Sequence, residues 1–89
     1  MRNIKFSRRF VKQLNKAPLK IKRKFEDRLG LFFEDPYHPQ LHNHLLVGKF
    51  AQFRSISISG DWRALYRVLE GDEEIYFFDY LGTHSQLYK

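Results

Sequence analysis

Four side chains in the second half of the chain are of types that could together cleave a phosphodiester bond. His44 and His84 carry imidazoles, whose unperturbed pKa lies near neutrality, so each suits proton transfer. Arg63 carries a planar guanidinium that matches phosphate oxygens, and Asp61 supplies a carboxylate two residues before it. RNA cleavage through the 2′-hydroxyl needs a base, a cation for the phosphate and an acid for the leaving 5′-oxygen. These four residues form a candidate site if the fold brings them together.

Arg63 belongs to an aromatic, β-favouring segment, residues 61–68, which follows a predicted turn at Gly60-Asp61. On a strand, Arg63 and Arg67 are four positions apart and therefore share a face. Burial of an unpaired guanidinium is costly, so this face is expected to be open. The pattern predicts a central strand whose concave, cationic face could grip phosphate.

The length of the turn before this strand decides which face Arg63 occupies. A two-residue turn would pair Ile58 with Arg63 and direct the guanidinium toward the core. A three-residue turn that includes Trp62 would instead pair Ser59 with Arg63. We predict the three-residue turn because it keeps the guanidinium out of the core. The open face would then carry Ser57, Arg63 and Arg67, and the helix-facing side would carry Ile56, Ile58, Ala64 and Tyr66.

Hydrophobic periodicity predicts the elements that must position the candidate site. Residues 2–6 alternate as a short strand, Ser7 is typical of a helix N-cap, and Pro18 is typical of the first residue of a second helix. The apolar stripe of that second helix is Ile21, Phe25, Leu29, Phe32 and Phe33. A loop with two prolines, a short extended segment and a three-stranded meander follow, and residues 83–89 form a tail.

We therefore predict one α+β domain over residues 1–89. An N-terminal strand and a two-helix hairpin would pack on one face of a mainly antiparallel four-stranded sheet, with the other face free. The composition agrees, since 43% of the 89 residues are hydrophobic and 17% are aromatic. With no cysteine, no run of about 18 apolar residues and no signal-peptide pattern, we expect a soluble, cytoplasmic protein that does not contact a membrane.

The positive charge is concentrated in the first third of the chain. Residues 1–28 hold eleven Lys/Arg and two acidic residues, a net +9, whereas residues 29–89 hold five and eight, a net −3. A basic surface of this kind favours a polyanion or an acidic protein as partner. The alternative is a solvated helix surface with no partner.

The same candidate residues have simpler explanations. His84 could be an ordinary surface residue of the tail, and Asp61 an ordinary turn residue that accepts backbone hydrogen bonds. Trp62 is as well suited to anchoring a core as to stacking on unpaired RNA bases. His38, His42 and His44 lie close in sequence but lack a cysteine or a carboxylate at a recognised spacing, so we expect no metal site.

Four motifs run through the second half of the chain. They are His44-x-Leu46-x-Gly48, Phe53-Arg54-Ser55-Ile56, the segment from Trp62 to Val68, and Gly82-Thr83-His84-Ser85-Gln86-Leu87-Tyr88. Together with the basic helical hairpin they resemble, over essentially the whole chain, the RelE/ParE toxin superfamily and within it the YafQ-like mRNA interferases. The resemblance implies a RelE-like fold of microbial-RNase type. It also implies a toxin of a type II toxin–antitoxin pair that cuts mRNA in the ribosomal A site.

The resemblance also implies roles for individual residues. Five positions match site residues of YafQ-like proteins: His44, Asp61, Trp62, His84 and Tyr88. Arg63 matches the arginine with which the RelE and YoeB branches stabilise the scissile phosphate. Ser57 stands where YafQ-like proteins can carry a further histidine, and a serine cannot act as a base near neutral pH. The base is therefore expected to be His44 or Asp61, with Arg63 on the phosphate and His84 as general acid.

Binding partners follow from the same resemblance. We expect RNA contacts from basic and aromatic residues: Arg23, Lys24, Lys49, Arg54, Trp62 and Arg67. The expected partners are mRNA on the ribosome, including ribosomal RNA, and a cognate antitoxin that contributes an acidic or amphipathic helix or an added strand. No cofactor is expected. Two alternatives are a ParE-like toxin that binds DNA gyrase, and a catalytically silent module that binds only nucleic acid or antitoxin.

Overall fold

The computed structural model describes residues 2–88, which form a five-stranded sheet with two long helices on one face. The elements are β1 (Asn3–Phe6), α1 (Arg8–Lys16), α2 (Leu19–Glu34), β2 (His44–Leu45), β3 (Arg54–Ser59), β4 (Trp62–Leu69), β5 (Ile75–Thr83) and α3 (His84–Leu87). The sheet order is β1-β5-β4-β3-β2, with β1 parallel to β5 and the other pairs antiparallel. The predicted α+β class is confirmed. The sheet has a fifth strand because the short β2 pairs with Arg54 and Ser55 at the edge.

Local sequence signals set the ends of the helical hairpin. The Ser7 hydroxyl caps α1 by accepting a hydrogen bond from the backbone N–H of Phe10 at 3.0 Å, as predicted. Pro18 is the residue before α2 and not its first residue. At 16 residues α2 is the longest helix, and within residues 2–88 no helix has the length and apolarity that crossing a membrane requires.

The main hydrophobic core lies between the long helices and the sheet and is built largely of aromatic rings. The ring centroids of Phe32 and Tyr66 are 4.9 Å apart, and those of Phe10 and Phe25 are 5.2 Å apart. All four predicted helix-facing residues of the meander are buried here: Ile56, Ile58, Ala64 and Tyr66. Phe33, in contrast, is 43% exposed, because the adjacent Phe32 occupies the core-facing position of α2.

The pairing of β3 with β4 differs from the prediction by a bulge. Arg63 pairs with Ser57 and Trp62 pairs with Ser59, so Ile58 is an extra residue between the two pairs. Gly60 makes the turn with a φ of +55°, a conformation that glycine adopts without strain. The predicted pairing of Ser59 with Arg63 is therefore wrong. The face is as predicted, because Arg63 and Ser57 lie on the side opposite the long helices.

That opposite face is not free along its whole length, contrary to expectation. Phe50 and Leu87 are buried against Leu65 of β4, with Phe53 and Tyr80 partly buried beside them. The large apolar side chains on this face need a cover, and the segment before β3 and the helix α3 supply it. This second core attaches both segments to the sheet and leaves only the remaining part of the face open.

Candidate active site

A cleft of about 410 Å³ lies on the open part of the sheet face, and we call it the main cleft. Its lining residues are His44, Leu46, Val47, Ser55, Arg63, His84 and Tyr88. Four of the five predicted catalytic residues are among them. They come from β2, the start of β4 and the C-terminal end of the chain, so only the folded sheet brings them together.

Strand pairing explains why Arg63 and His84 line the same cleft. Arg63 pairs with Gly82 on β5, and His84 begins α3 two residues later. A Cβ atom at Gly82 would lie 3.0 Å from Oε1 of Gln86 and 3.4 Å from Cδ2 of Leu87. Glycine at this position therefore lets α3 fold closely over the end of its own strand, beside the arginine.

The Arg63 side chain is half-buried and held at one end. Its Nη1 donates hydrogen bonds to the carbonyl oxygens of Gly60 at 2.8 Å and Trp62 at 2.9 Å. These bonds fix the guanidinium against the turn that precedes β4. They use only one of its nitrogens, so the remaining N–H groups can donate to an anion in the cleft.

The His84 ring is positioned by its backbone and by an aromatic neighbour. The backbone N–H of His84 donates a hydrogen bond to the carbonyl oxygen of Asp61 at 2.9 Å. Thr83 and Gln86 form a capping box around it: the Thr83 hydroxyl accepts from the Gln86 N–H at 3.2 Å, and the Gln86 side chain accepts from the Thr83 N–H at 2.9 Å. The His84 and Tyr88 ring centroids are 4.6 Å apart. The imidazole is thus oriented but exposed, as a proton donor to a bound substrate must be.

Tyr88 connects His84 to the second core. It is half-buried, and its ring packs edge-on against Phe50 with centroids 5.8 Å apart. Because Phe50 is itself buried against the sheet, this contact holds the C-terminal segment against the second core. Tyr88 therefore both packs against the second core and lines the main cleft.

His44 has its tautomer set by a local contact. Its Nδ1 lies 2.9 Å from the carbonyl oxygen of His42. A carbonyl only accepts, so Nδ1 carries the proton and Nε2 of the neutral ring has a free lone pair. His42 adopts a left-handed conformation, with φ at 47°, just before β2. In this tautomer Nε2 is the ring atom that can accept a proton.

Asp61 and Trp62 lie outside the main cleft. Asp61 is exposed in the turn, where its backbone carbonyl binds the His84 amide. Trp62 is next to Arg63 on a strand, so its side chain points to the opposite face, where it packs against the main core. It also lines a groove with Gln13 and Lys16 of α1. Of the predicted catalytic residues, the structure thus brings four together in the main cleft: His44, Arg63, His84 and Tyr88.

The basic residues predicted to bind RNA also lie outside the main cleft. Arg54 donates from Nε to Oδ1 of Asn43 at 2.8 Å, on the helix-facing side of β3. Arg67 shares the face of Arg63 but stacks over Phe77 and Phe53, at 5.3 and 5.9 Å from the ring centroids. The other three are Arg23 and Lys24 on α2 and Lys49 beside the second core.

Ser55 is a cleft residue that the sequence analysis missed. It is 1% exposed, and its Oγ has no hydrogen-bond partner among residues 2–88. A buried hydroxyl without a protein partner in the wall of a cleft is available to hydrogen-bond a water or a bound ligand. The signal in the sequence was its alternation with Ser57, which places both serines on the face of Arg63.

A polar network on the opposite face holds the loop that carries His44. The Asn43 side chain donates to the Tyr66 hydroxyl at 2.7 Å and to the Pro36 carbonyl at 2.8 Å. Burial raises the pKa of Tyr66 above its ordinary value, and the hydrogen bond from Asn43 partly offsets this shift. Because Asn43 immediately precedes His44, the network fixes the start of β2.

The loop histidines do not form a metal site in the part of the chain that the structure describes. Within residues 2–88, no three His, Cys, Asp or Glu side chains are grouped so that they could hold a metal ion. His38 instead caps a short 3₁₀ helix, Pro39–Leu41, by accepting at Nδ1 from the Gln40 N–H at 3.1 Å.

Comparisons with known proteins give a family and a fold. The family model described as the bacterial toxin of a type II toxin–antitoxin system, YafQ, matches residues 2–89. YafQ from E. coli strain BL21(DE3) is 22% identical, with a TM-score of 0.79 over 100% of both chains. YafQ in the E. coli DinJ–YafQ toxin–antitoxin complex is 22% identical, with a TM-score of 0.76 over 99% of this chain and 98% of that chain.

A metal-bound toxin from Helicobacter pylori is also similar. It is 29% identical, with a TM-score of 0.70 over 99% of this chain and 100% of that chain. A comparison with curated proteins gave no significant match. The TM-scores indicate that these structures share the overall fold of this chain.

Proposed function

The chain belongs to the YafQ family of bacterial type II toxins, and on that premise we propose that it is an endoribonuclease that cleaves mRNA in the A site of the ribosome. The observation that supports this proposal most strongly is that Arg63 and His84 both line the main cleft. A cation that matches phosphate lies beside an exposed imidazole, and a second imidazole with a free lone pair lines the same cleft. Cleavage of the message would inhibit translation.

In the proposed reaction each residue has one task. Nε2 of His44 accepts the proton of the 2′-hydroxyl, and the 2′-oxygen attacks the adjacent phosphorus. Arg63 donates hydrogen bonds to the phosphate oxygens as negative charge develops on them. His84, protonated, donates its proton to the 5′-oxygen as the P–O5′ bond breaks. The products are a 2′,3′-cyclic phosphate and a 5′-hydroxyl, and no cofactor takes part.

His44 is a better candidate for the base than Asp61. It lines the main cleft and has a defined tautomer, whereas Asp61 contributes its backbone carbonyl to His84 from outside the cleft. Tyr88 holds the His84 ring at its catalytic orientation through their 4.6 Å ring contact. Asp61 is therefore a positioning residue in this proposal, and Tyr88 both positions His84 and borders the substrate.

The ribosome is bound by residues outside the cleft. The basic helices supply charge that can neutralise ribosomal RNA phosphates, with the exposed Arg23 and the half-buried Lys24 on α2 as candidates. The other predicted RNA contacts, Lys49, Arg54, Arg67 and Trp62, lie around the sheet rather than in the cleft. Such binding weakens steeply as salt is added, because each phosphate contact releases counterions.

A cognate antitoxin is the second proposed partner. The E. coli structure that this fold matches is a complex of YafQ with the antitoxin DinJ. The net charge of +9 on residues 1–28 favours a partner with an acidic or amphipathic helix. An antitoxin strand added at a free sheet edge would serve the same purpose.

Translation of a defined message on purified ribosomes tests the function. We expect the wild type to cut the message at the A site only when it is being translated. Arg63→Ala is expected to lower the rate about 10²–10³-fold and His84→Ala about 10²–10⁴-fold. Lys5→Ala, which removes an exposed charge from β1 and leaves the basic helices unchanged, is the control and should cut at nearly the wild-type rate.

Three outcomes would contradict the proposal. Cuts that persist in both cleft variants would remove Arg63 and His84 from the mechanism. Gyrase-linked DNA breaks without RNA cuts would identify a ParE-like toxin. Absence of both activities would leave a module that binds nucleic acid or antitoxin without catalysis.

A further inference from the structure

A second cleft of about 460 Å³ adjoins the main cleft, and we call it the flanking cleft. Arg63 and His44 line both clefts, so the two form one path across the face and the edge of the sheet. The flanking cleft adds residues that the mechanism does not use, among them Arg28, Gln40, His42, Ser57 and Ser59. Its walls come from α2, the loop before β2 and the end of β3.

The chemistry of the flanking cleft suits an anion. Two guanidinium groups, Arg28 and Arg63, face it together with two imidazoles and the hydroxyls of Ser57 and Ser59, and no Asp or Glu is among its lining residues. This contrasts with the net −3 charge of residues 29–89, which supply all of the lining except Arg28. A site that excludes carboxylates in an acidic half of the chain attracts phosphate or carboxylate ligands.

Several donors of the flanking cleft are not satisfied by the protein. Nε of Arg28 is buried and has no hydrogen-bond partner among residues 2–88, and its Nη1 contacts Oε1 of Gln40 only at a long 3.5 Å. Among residues 2–88 no strand pairs with the backbone of Ser57 on this side, because β2 pairs only with Arg54 and Ser55. An oxyanion bound here would supply the acceptors that these groups lack.

We propose that the flanking cleft binds the phosphate next to the scissile phosphate of the RNA chain, with Arg28 as its principal ligand. The inference rests on the proposed function, because the scissile phosphate defines the register. Arg63 lies between the two phosphates and contributes to both clefts. The site would require the substrate to continue past the cleaved bond, so it selects a chain over a dinucleotide.

Binding of short, uncleavable oligonucleotides to the isolated protein tests the site. The probes are a 2′-O-methyl dinucleotide with one phosphodiester and a 2′-O-methyl trinucleotide with two, followed by amide and imidazole NMR shifts. For the wild type we expect the trinucleotide to bind about tenfold more tightly, as one charge-assisted contact implies. Only the trinucleotide should shift the Ser57, Ser59 and Gly60 amides.

Two variants and one control make the test specific. Arg28→Gln should remove the tenfold gain while leaving dinucleotide affinity unchanged. Ser59→Asp, which leaves Arg28 intact and adds a carboxylate to the cleft, should also remove the tenfold gain. Lys20→Gln removes an equal charge from an exposed position of α2 and should retain the gain. Thermal unfolding of each variant checks that the fold is preserved.

The outcomes that would overturn the site are distinct from those that would overturn catalysis. A tenfold gain that survives in Arg28→Gln and Ser59→Asp, or no binding of either probe, would remove the second phosphate site. An acidic peptide that shifts the same amides while the trinucleotide does not would assign the cleft to a protein partner. A wild type that binds both probes as expected but does not cut mRNA would keep the site and refute the nuclease.

Discussion

Within the part of the chain that the structure describes, Arg63 is a half-buried cation without a carboxylate partner. Among residues 2–88, the one ion pair within 4.0 Å joins Arg9 and Asp79, on another part of the surface. Two backbone carbonyls hold the Arg63 guanidinium but do not neutralise it. A charge kept in this state is stabilised when an anion enters the cleft, which is the condition for selective binding of a phosphate.

Tyr66 gives a test of the network that supports His44. Burial raises its pKa, so the folded protein keeps the phenol protonated at a pH where the unfolded chain has lost the proton. This contribution to stability is full below pH of about 10, the unfolded pKa, and is lost as pH rises further. We expect Tyr66→Phe to lower the free energy of unfolding at pH 7 by about 0.5–1.5 kcal/mol, the value of one hydrogen bond.

Urea unfolding at pH 7 and at several values above 10 measures both effects. The alkaline loss of stability should be smaller in Tyr66→Phe than in the wild type. Tyr80→Phe, at a tyrosine of the second core on the other face of the sheet, is the control and should keep the wild-type pH dependence. Equal alkaline slopes for the wild type and Tyr66→Phe would contradict the assigned pKa shift.

At the residue scale, the sequence indicated which residue types line the candidate site better than it indicated how they are arranged. Residue type alone pointed to His44, Arg63 and His84, because few side chains transfer protons or bind phosphate near neutral pH. Residue type could not show that Asp61 lies outside the main cleft, where its backbone carbonyl and not its carboxylate binds the His84 amide. Ser55 was missed because a buried, unpartnered hydroxyl becomes visible only once its neighbours are placed.

The short helix α3 is the element on which the position of His84 depends. Its four residues are too few to be stable alone, so its geometry comes from the capping box and from Leu87 in the second core. The Thr83-x-x-Gln86 pattern of this box is visible in the sequence. The packing of Leu87 and Tyr88 against Phe50 is not, because it joins segments far apart in the chain.

Removal of the Gln86 side chain should misplace His84 without deleting it. Loss of the bond to the Thr83 N–H is expected to cost about 1 kcal/mol of local stability and to lower kcat for mRNA cleavage several-fold. Gln86→Glu keeps an acceptor oxygen and should restore the rate. Ser85→Ala, an exposed neighbour, is the matched control. The readouts are kcat and the His84 imidazole NMR shifts, and identical behaviour of Gln86→Ala and Ser85→Ala would exclude a positioning role.

The strands show where prediction from sequence ends. Alternation assigned Ile56, Ile58 and Ala64 to the correct face, because one side of the sheet must be apolar. The bulge at Ile58 was not predictable, since the turn and an extra residue can be combined in several ways that keep the same alternation. The two-residue β2 was equally hidden, because its pairing depends on its partner and not on its own pattern.

At the scale of the whole molecule, the basic helices and the candidate active site lie on opposite faces of the sheet. The basic helices carry most of the positive charge and pack on one face of the sheet, whereas the main cleft lies on the other. A toxin arranged in this way can bind a large polyanion through one surface while a small set of groups acts on one phosphate. The composition predicted the concentration of positive charge, and only the folded sheet brings the residues of the main cleft together.

The central claim is that His84 acts as the acid for the leaving 5′-oxygen while Arg63 stabilises the phosphate. An mRNA with sulfur in place of the bridging 5′-oxygen at the A-site codon tests it, because a thiolate leaves without being protonated. On ribosomes, we expect His84→Ala to cut normal mRNA about 10²–10⁴-fold more slowly than the wild type but to cut the sulfur-containing mRNA at nearly the wild-type rate. Arg63→Ala should remain slow on both messages. A His84→Ala variant equally slow on both would contradict the account.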